Sequence, residues 1–400
     1  MTFEATDAVP LGAGAVATAG AATDATLARA RMATRAQFAA LGVLGGAWGV
    51  HIPSVKQQYG LGEAMLSMVL LAAASGALLS LFTAGRVIGR LGARRATVAA
   101  AAVMSGMLAL VLHWPSLALL LPAMVVFGAA MSLFDVAINT EGTVLESLSG
   151  RTVMSNLHGM FSIGAMVGAA VTAGLLRAGV APWLQLAAIG AVIAGSVALA
   201  ARSMLDTHPS APGHEGQAHF AWPRGMLLVI GLLIFAGMSA EGVMYDWSVL
   251  YLKQEVGMTQ DAAAIGYAAF AGAMALSRFA GDALRARFPE RWLLRGGAAL
   301  TAVSMAVLLA SGDPVVSFVG YALIGAGLAP VVPILFNAAT RVPGASRAAS
   351  IAAVSSIGYA GFMVGPPLIG GIAQAVSLSA AMLVVVVAAG LLAIGARRIG

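Results

Sequence analysis

Long apolar runs alternate with short polar loops along the whole chain. Twelve runs of roughly 18 to 25 residues occur, and each could cross about 30 Å of hydrocarbon as a helix. The runs lie near Gln37–Val55, Met65–Ala84, Ala96–Leu112, Ser116–Asn139, Met154–Leu176, Trp183–Ala201, Gly225–Asp246, Ala262–Ala280, Trp292–Ala310, Val315–Asn337, Ala349–Ala373 and Leu378–Ile394. The pattern predicts an all-α membrane protein with twelve transmembrane helices.

The second half of the chain repeats the first. The segment Val55–Leu61, which reads VKQQYGL, returns as Leu252–Met258, LKQEVGM, at an offset of 197 positions. Trp48 falls on Tyr245 at the same offset. Two hydrophobic halves related in this way place a solute site at their interface, near the bilayer midplane. The repeat therefore predicts two pseudo-symmetric six-helix bundles and a transporter.

Four regions follow from these boundaries. We expect a disordered cytoplasmic tail at 1–34, an N-terminal bundle at 35–203, a cytoplasmic linker at 204–223 and a C-terminal bundle at 224–400. The linker is rich in proline and glycine, which favours a solvated loop. It also contains three histidines, which could suggest a metal site, but their spacing suits no single helix face. We predict no metal and no cofactor. The three linker histidines are His208, His214 and His219.

Composition and charge define the solvent and the orientation. A chain with 60% hydrophobic and 10% charged residues is not a water-soluble globule. Of the 22 Lys and Arg, we assign Lys56, Arg177 and Lys253 to loops on one side and the other 19 to the opposite side. The excess of basic residues predicts cytoplasmic termini in an inner membrane. Because the basic residues are scattered over short loops, nucleic-acid binding is not expected.

A basic, glycine-containing loop follows the second run. It reads GRVIGRLGARR from Gly85 to Arg95, and Arg278–Asp282 repeats part of it in the second half. This pattern resembles the cytoplasmic loop motif of the major facilitator superfamily. The resemblance implies the major facilitator fold and a monomeric transporter of small molecules. The loop residues that we expect to control gating are Gly85, Arg86, Arg90, Gly92, Arg94, Arg95, Arg278 and Asp282.

Acidic residues inside apolar runs are the first functional candidates, because a charge at the bilayer centre costs at least about 2.5–3.5 kcal/mol. Asp135 and Asn139 lie four positions apart, hence on one helix face. A carboxyl group in a cavity that opens to either side can carry a proton. Glu241 and Asp246 are five positions apart in the seventh run and point about 140° apart on a regular helix. We predict proton coupling by Asp135, assisted by Glu241.

The fourth and fifth runs resemble the fucose:proton symporter branch of the superfamily. The resemblance rests on Asp135 followed by Asn139 and on the segment Asn156–Ala165. It implies that Asp135 carries the proton and that His158 takes the place of a sugar-contacting amide. For Asn139 and Asn337 the alternative is a hydrogen bond between helices, and for Trp48 and Trp247 it is anchoring at the membrane interface. The solute-binding candidates are Asn139, Asn156, His158, Asp246, Asn337, Trp48 and Trp247.

No embedded catalytic motif or phosphate-binding loop occurs, so we do not expect an enzyme. The predicted function is proton-coupled alternating access for a small polar solute, a sugar or related metabolite. The partners are then the solute, protons and the lipid bilayer. One alternative is a proton/solute antiporter that exports a metabolite or toxic compound. A second alternative is a transport-inactive membrane sensor or scaffold.

Overall fold

The chain folds into helices joined by short turns. A computed structural model describes residues 23–205, 224–343 and 347–399. The helices are α1 (Asp24–Gln58), α2 (Glu63–Leu91), α3 (Ala93–Leu110), α4 (Leu117–Ser149), α5 (Met154–Arg177), α6 (Pro182–Ala201), α7 (Met226–Gln254), α8 (Gln260–Arg287), α9 (Glu290–Ser311), α10 (Pro314–Leu328), α11 (Val331–Thr340), α12 (Arg347–Ala375) and α13 (Leu378–Gly395). A short 3₁₀ turn, Ala396–Arg398, follows α13.

The predicted all-helical membrane fold is confirmed. Within the described residues, eleven helical stretches are long and apolar enough to cross a membrane, and α10 with α11 counts as one of them. Helix α3 is the twelfth crossing, and its first turn contains Arg94 and Arg95, which lower its mean hydropathy. An even number of crossings places Asp24 and Arg398 on the same side, which we call the terminal face. The other side is the opposite face.

The structure corrects the start of the first helix. It begins at Asp24, so residues 24–34, which the pattern assigned to the tail, are helical. The Thr23 hydroxyl accepts a hydrogen bond from the Thr26 N–H, which caps the first turn. Ala33 then packs with Ala201 at the end of α6 and with Met204 just after it. Residues 1–22 and 206–223 lie outside the described residues, and with them the three linker histidines.

The sequence repeat is also a repeat of helix packing. In the first half α1 packs on α5, α2 on α4, and α3 on α4 and α6. In the second half the corresponding pairs are α7 with α12, α8 with α10, and α9 with α10 and α13. The halves meet mainly where α5 packs on α8 and α2 packs on α12, and α1 also contacts α7. These contacts place α1, α2, α5, α7, α8 and α12 around the space between the bundles.

Glycine lets α1 and α5 approach closely enough to form one wall of that space. A Cβ atom on Gly42 would collide with the backbone of Phe161, and one on Gly164 would collide with the backbone of Ala39. Small residues at such contacts are how membrane helices pack without a hydrophobic driving force between them. The packing fixes Phe161 and its neighbours on α5 relative to α1.

Candidate solute site

A cavity of about 390 Å³ lies between the two halves. Its walls come from α1, α2, α4 and α5 of the first half and from α7, α8 and α12 of the second. The volume falls within the range of about 300–1,000 Å³ that small-molecule sites occupy. Most of the lining is apolar or aromatic. The polar side chains with ionisable or hydroxyl groups are Ser132, Asp135, His158, Glu241, Tyr245, Asp246, Tyr267, Arg278 and Tyr359.

Asp135 on α4 faces this cavity and is oriented by the residue one turn later. The side-chain amide of Asn139 donates to Asp135 Oδ1 over 3.0 Å and to the Asp135 carbonyl oxygen over 2.8 Å. Among the ion pairs of the described residues, none includes Asp135. The shared face predicted from the four-residue spacing is therefore present, and the carboxyl group meets the cavity without a basic partner.

Glu241, in contrast, is paired. Arg278 Nη2 lies 3.0 Å from Glu241 Oε1, and both side chains are largely buried, with 14% and 13% of their surface exposed. Arg278 Nη1 also donates to the Ser162 hydroxyl on α5 over 2.6 Å. The guanidinium thus joins α7 and α8 of the second half to α5 of the first. An arginine suits this role because its fork of donors can bind two acceptors at once.

The position of Arg278 is a correction to the sequence analysis. We grouped it with a cytoplasmic loop, but α8 continues to Arg287 and carries Arg278 into the cavity wall. The buried partner Glu241 explains how a cation is retained there. The loop pattern was misleading because glycine and arginine occur together at the end of an apolar run in both settings. The side chain of Asp282 lies outside the described residues.

Asp246 lies in the cavity wall about one and a half turns beyond Glu241. A small adjoining pocket, lined in part by Trp247 and Phe362, also contacts Asp246. The carboxyl group of Asp246 has no hydrogen bond or ion pair within the described part of the chain. The ring of Tyr245, its neighbour, packs 5.9 Å from that of Tyr267. Asp246 is therefore a second unpaired carboxyl group, set among aromatic rings.

The cavity is closed toward the opposite face by contacts between the halves. Gln260 at the start of α8 donates its side-chain amide to the carbonyl oxygen of Val50 over 2.9 Å and to the hydroxyl of Ser54 over 2.8 Å. Nearby, a Cβ atom on Gly370 of α12 would touch Ser67 of α2. Toward the terminal face, His158 is exposed in the cavity wall.

Comparison with known proteins fits this architecture. The family model described as Major Facilitator Superfamily matches residues 36–351 and 227–399. The chain belongs to the major facilitator superfamily. An uncharacterized MFS-type transporter of Yersinia pestis is 35% identical over 355 residues, which are 88% of this chain and 91% of that protein. The chain is thus a membrane transporter of a family whose members carry small molecules.

Two solved structures of the superfamily share the fold. The E. coli fucose:proton symporter FucP superposes with a TM-score of 0.64 at 16% identity, over 92% of this chain and 98% of that one. A D-xylose-proton symporter superposes with a TM-score of 0.72 at 15% identity, over 91% and 96%. The resemblance to the fucose:proton symporter branch is thereby confirmed at the level of the fold.

The superfamily loop motif lies where α2 turns into α3 on the terminal face. Gly92 alone connects the two helices and has φ +82°, a conformation that favours glycine. The motif's arginines occupy the last turns of α2 and the first turn of α3, whereas a Cβ atom on Gly85 would meet open space. The motif glycine with a geometric requirement is therefore Gly92. These arginines are Arg86, Arg90, Arg94 and Arg95.

Three of the seven predicted solute-binding residues line the cavity. Trp48 does so and packs on Phe127 with 5.5 Å between ring centroids. His158 does so and contacts the edge of Phe38 at 5.4 Å. Asp246 is the third. These three come from α1, α5 and α7, so both halves contribute.

The other four predicted residues are placed elsewhere, which corrects their assignment. Asn139 is one turn beneath the cavity and bonds to Asp135. Asn156 accepts a 2.7 Å hydrogen bond from Arg35 Nε, and Asn337 donates to Glu290 Oε1 over 2.9 Å. Trp247 is 1% exposed and does not line the cavity. For Asn337, the contact with Glu290 is the interhelical hydrogen bond that the sequence left open as an alternative.

Several cavity residues were not among the predicted ones. Tyr245 could have been chosen, because it is the repeat partner of Trp48. Tyr267 on α8 and Tyr359 and Phe362 on α12 carried no comparable signal, since an aromatic residue in an apolar run looks the same whether it faces lipid, protein or a cavity. Only the packing of α8 and α12 against the first half assigns them to the site.

Proposed function

We propose that this protein is a proton-coupled secondary transporter of a small polar solute, and that Asp135 carries the coupling proton. One observation carries the proposal: the Asp135 carboxyl group lies in the cavity between the two halves without a basic partner among the described residues. A carboxylate enclosed in such a space is costly unless it is neutralised. Protonation before the cavity closes and release after it reopens would couple proton movement to the cycle.

Glu241 suits a supporting role. Its carboxyl group lies 3.0 Å from the Arg278 guanidinium, so it already has a partner of opposite charge. Arg278 also reaches Ser162 across the boundary between the halves. Rocking of the bundles would stretch that contact. In this proposal, the pair senses the relative position of the halves while Asp135 exchanges the proton.

The residues that line the cavity support the proposal that the solute is small and polar. Trp48 and Tyr245 offer flat aromatic faces, on which a sugar ring could stack, and carboxyl groups offer hydrogen-bond acceptors. The two symporters that share the fold are named for fucose and D-xylose. We therefore extend the proposal to a sugar or related metabolite. The proposal includes a monomer in an inner membrane with the terminal face in the cytoplasm. The excess of basic residues that we assign to that face supports this orientation.

One proton is energetically sufficient for accumulation. A proton that moves through about 100 mV gains about 2.3 kcal/mol. At about 1.4 kcal/mol per decade, this supports roughly forty-fold accumulation of a neutral solute. A single coupling carboxyl group therefore meets the energetic requirement for symport.

The test is uptake of labelled sugars and metabolites into proteoliposomes, with and without an inward proton gradient. We expect the unaltered protein to accumulate a solute, and Asp135→Asn to abolish accumulation while solute exchange without a gradient survives. The matched control is Asp261→Asn, which neutralises an acid at the opposite-face end of α8 outside the cavity. Accumulation that persists in Asp135→Asn would refute the role of Asp135. Proton flux opposite to solute flux would establish the antiporter alternative, and absence of all flux would favour the sensor.

A further inference from the structure

We infer that the transported solute carries a protonated amine and that Asp246 binds it. The inference rests on the proposed function and names the chemical class of its solute. The class is a small polyhydroxylated amine, such as an amino sugar, whose hydroxyl groups meet the polar wall and whose ammonium group meets Asp246. The charges, the surroundings of Asp246 and the repeat each support it.

The charge of the cavity is unbalanced. Three carboxyl groups line it, those of Asp135, Glu241 and Asp246, against one guanidinium, that of Arg278. Arg278 is occupied by Glu241 at 3.0 Å. His158 is the other basic side chain of the wall, and no ion pair of the described residues joins it to a carboxyl group. Among the described residues, two of the carboxyl groups in the cavity wall are therefore without a basic partner, one in each half.

The two unpaired acids differ in their surroundings. Asp135 accepts a hydrogen bond from Asn139, a partner within its own helix. Asp246 has no hydrogen-bond donor within the described part of the chain, so its oxygens are free to accept from a solute. With Asp135 assigned to the proton, Asp246 is the group whose charge remains to be compensated. A neutral solute would leave it uncompensated when the cavity closes, whereas an ammonium group would pair with it.

Aromatic rings surround Asp246 in a way that suits a cation. Phe362 and Trp247 share a small pocket with it, and Tyr245 and Tyr267 flank the same stretch of wall. Ammonium groups are attracted to the faces of such rings. A carboxylate with aromatic neighbours therefore favours an amine over a hydroxyl group, which could only form a hydrogen bond with Asp246.

The repeat explains why the acid occurs in one half alone. Gly49 is the repeat partner of Asp246 at the offset of 197. A Cβ atom on Gly49 would lie 2.8 Å from Tyr267 Cε2 and 2.9 Å from the Tyr245 carbonyl oxygen. A side chain has no room there, because the second half packs against α1. The site is consequently asymmetric, and its single solute-binding acid is on α7.

The experiment offers proteoliposomes a metabolite extract from bacteria grown on ¹³C carbon, under an inward proton gradient, and identifies the accumulated solutes by mass spectrometry. We expect them to carry an amine that is protonated at pH 7. Uptake of the solute that accumulates most is then compared with uptake of an analogue in which a hydroxyl group replaces the amine. The unaltered protein should prefer the amine about 10- to 100-fold, the value of a hydrogen bond to a charged group.

Asp246→Asn keeps the shape of the side chain and removes its charge, so it should reduce this preference to near parity. Asp261→Asn should leave the preference unchanged. If Asp246→Asn does not yield folded protein, the same comparison is made with the smaller variant Asp246→Ser, whose amine preference should also fall to near parity. The amine preference of the unaltered protein is a further test of the inference. Accumulation of neutral or anionic solutes alone, or an amine preference that survives in Asp246→Asn, would overturn the inference and leave the proposed function standing. Accumulation of nothing would overturn both.

Discussion

The side-chain amide of Gln260 donates to the hydroxyl of Ser54 over 2.8 Å, joining α8 of the second half to α1 of the first. The amide oxygen of Gln260 is held in turn by Lys253 Nζ at 3.1 Å. The first half contains the same arrangement, since Lys56 Nζ binds Glu63, also seven positions later, at 2.6 Å. Each half therefore has a lysine that binds a side chain seven positions later at the opposite face, where the two halves meet.

Fixing the Gln260–Ser54 contact should arrest transport. The chain has no cysteine, so Ser54→Cys with Gln260→Cys introduces the only two thiols. Because the long Gln260 side chain provides part of the reach, a short bifunctional methanethiosulfonate suits the pair better than direct oxidation. We expect the cross-linked protein to lose solute uptake, since the opposite face can no longer open, and to regain it on reduction.

The matched control for this cross-link is Lys253→Cys with Gln260→Cys, which joins two residues of the same half. It should form without arresting uptake, because it spans no moving boundary. Unimpaired uptake by protein that is fully cross-linked between Ser54 and Gln260 positions would show that these residues do not separate during the cycle.

The Glu241–Arg278 pair should behave as a unit in stability measurements. Removing one partner of a buried pair costs about 3–5 kcal/mol, because the remaining charge is left without compensation. We therefore expect Arg278→Gln and Glu241→Gln each to lower the thermal unfolding midpoint in detergent, and the double variant to recover much of the loss. Additive losses in the double variant would contradict a direct coupling between the two side chains.

The contact between α1 and α5 should tolerate no added methyl group. Gly164→Ala would push its Cβ atom into the backbone of Ala39, and overpacking of this kind costs about 1–3 kcal/mol. Gly174→Ala on the same helix meets open space and serves as the control. We expect the unfolding midpoint to fall in Gly164→Ala and to stay unchanged in Gly174→Ala. Equal midpoints would mean that α1 moves aside without cost.

Asn139 should matter through Asp135. Asn139→Leu removes the donor that orients the carboxyl group, and loss of a hydrogen bond to a charged group is worth about 1.5–3 kcal/mol. We expect gradient-driven accumulation to fall by about tenfold or more while exchange without a gradient is retained. Asn156→Leu, which affects a contact with Arg35 outside the cavity, is the control. Equal effects of the two variants would point to general destabilisation.

Much of the architecture could be predicted from the order of residues. A bilayer requires spans of a fixed length with few charges, so the apolar runs marked every crossing. The repeat from Lys56 to Lys253 identified two halves, and the spacing of Asp135 and Asn139 placed them on one face. These features depend on local periodicity and on chain-wide symmetry, which a sequence contains directly.

Membership of the site depended on which helices meet. Arg278 looked like a loop residue and Asn337 like a repeat partner of Asn139, yet the packing of α8 brings Arg278 to Glu241, and Asn337 meets Glu290. Most residues of a membrane helix are apolar, whether they contact lipid, protein or a cavity, so hydropathy does not tell these surroundings apart. The sequence by itself determined the membrane spans, the two halves and the acidic residues that lie inside apolar runs. The tertiary structure alone decided that Glu241 has a basic partner while Asp135 and Asp246 have none among the described residues, because pairing depends on distances between helices.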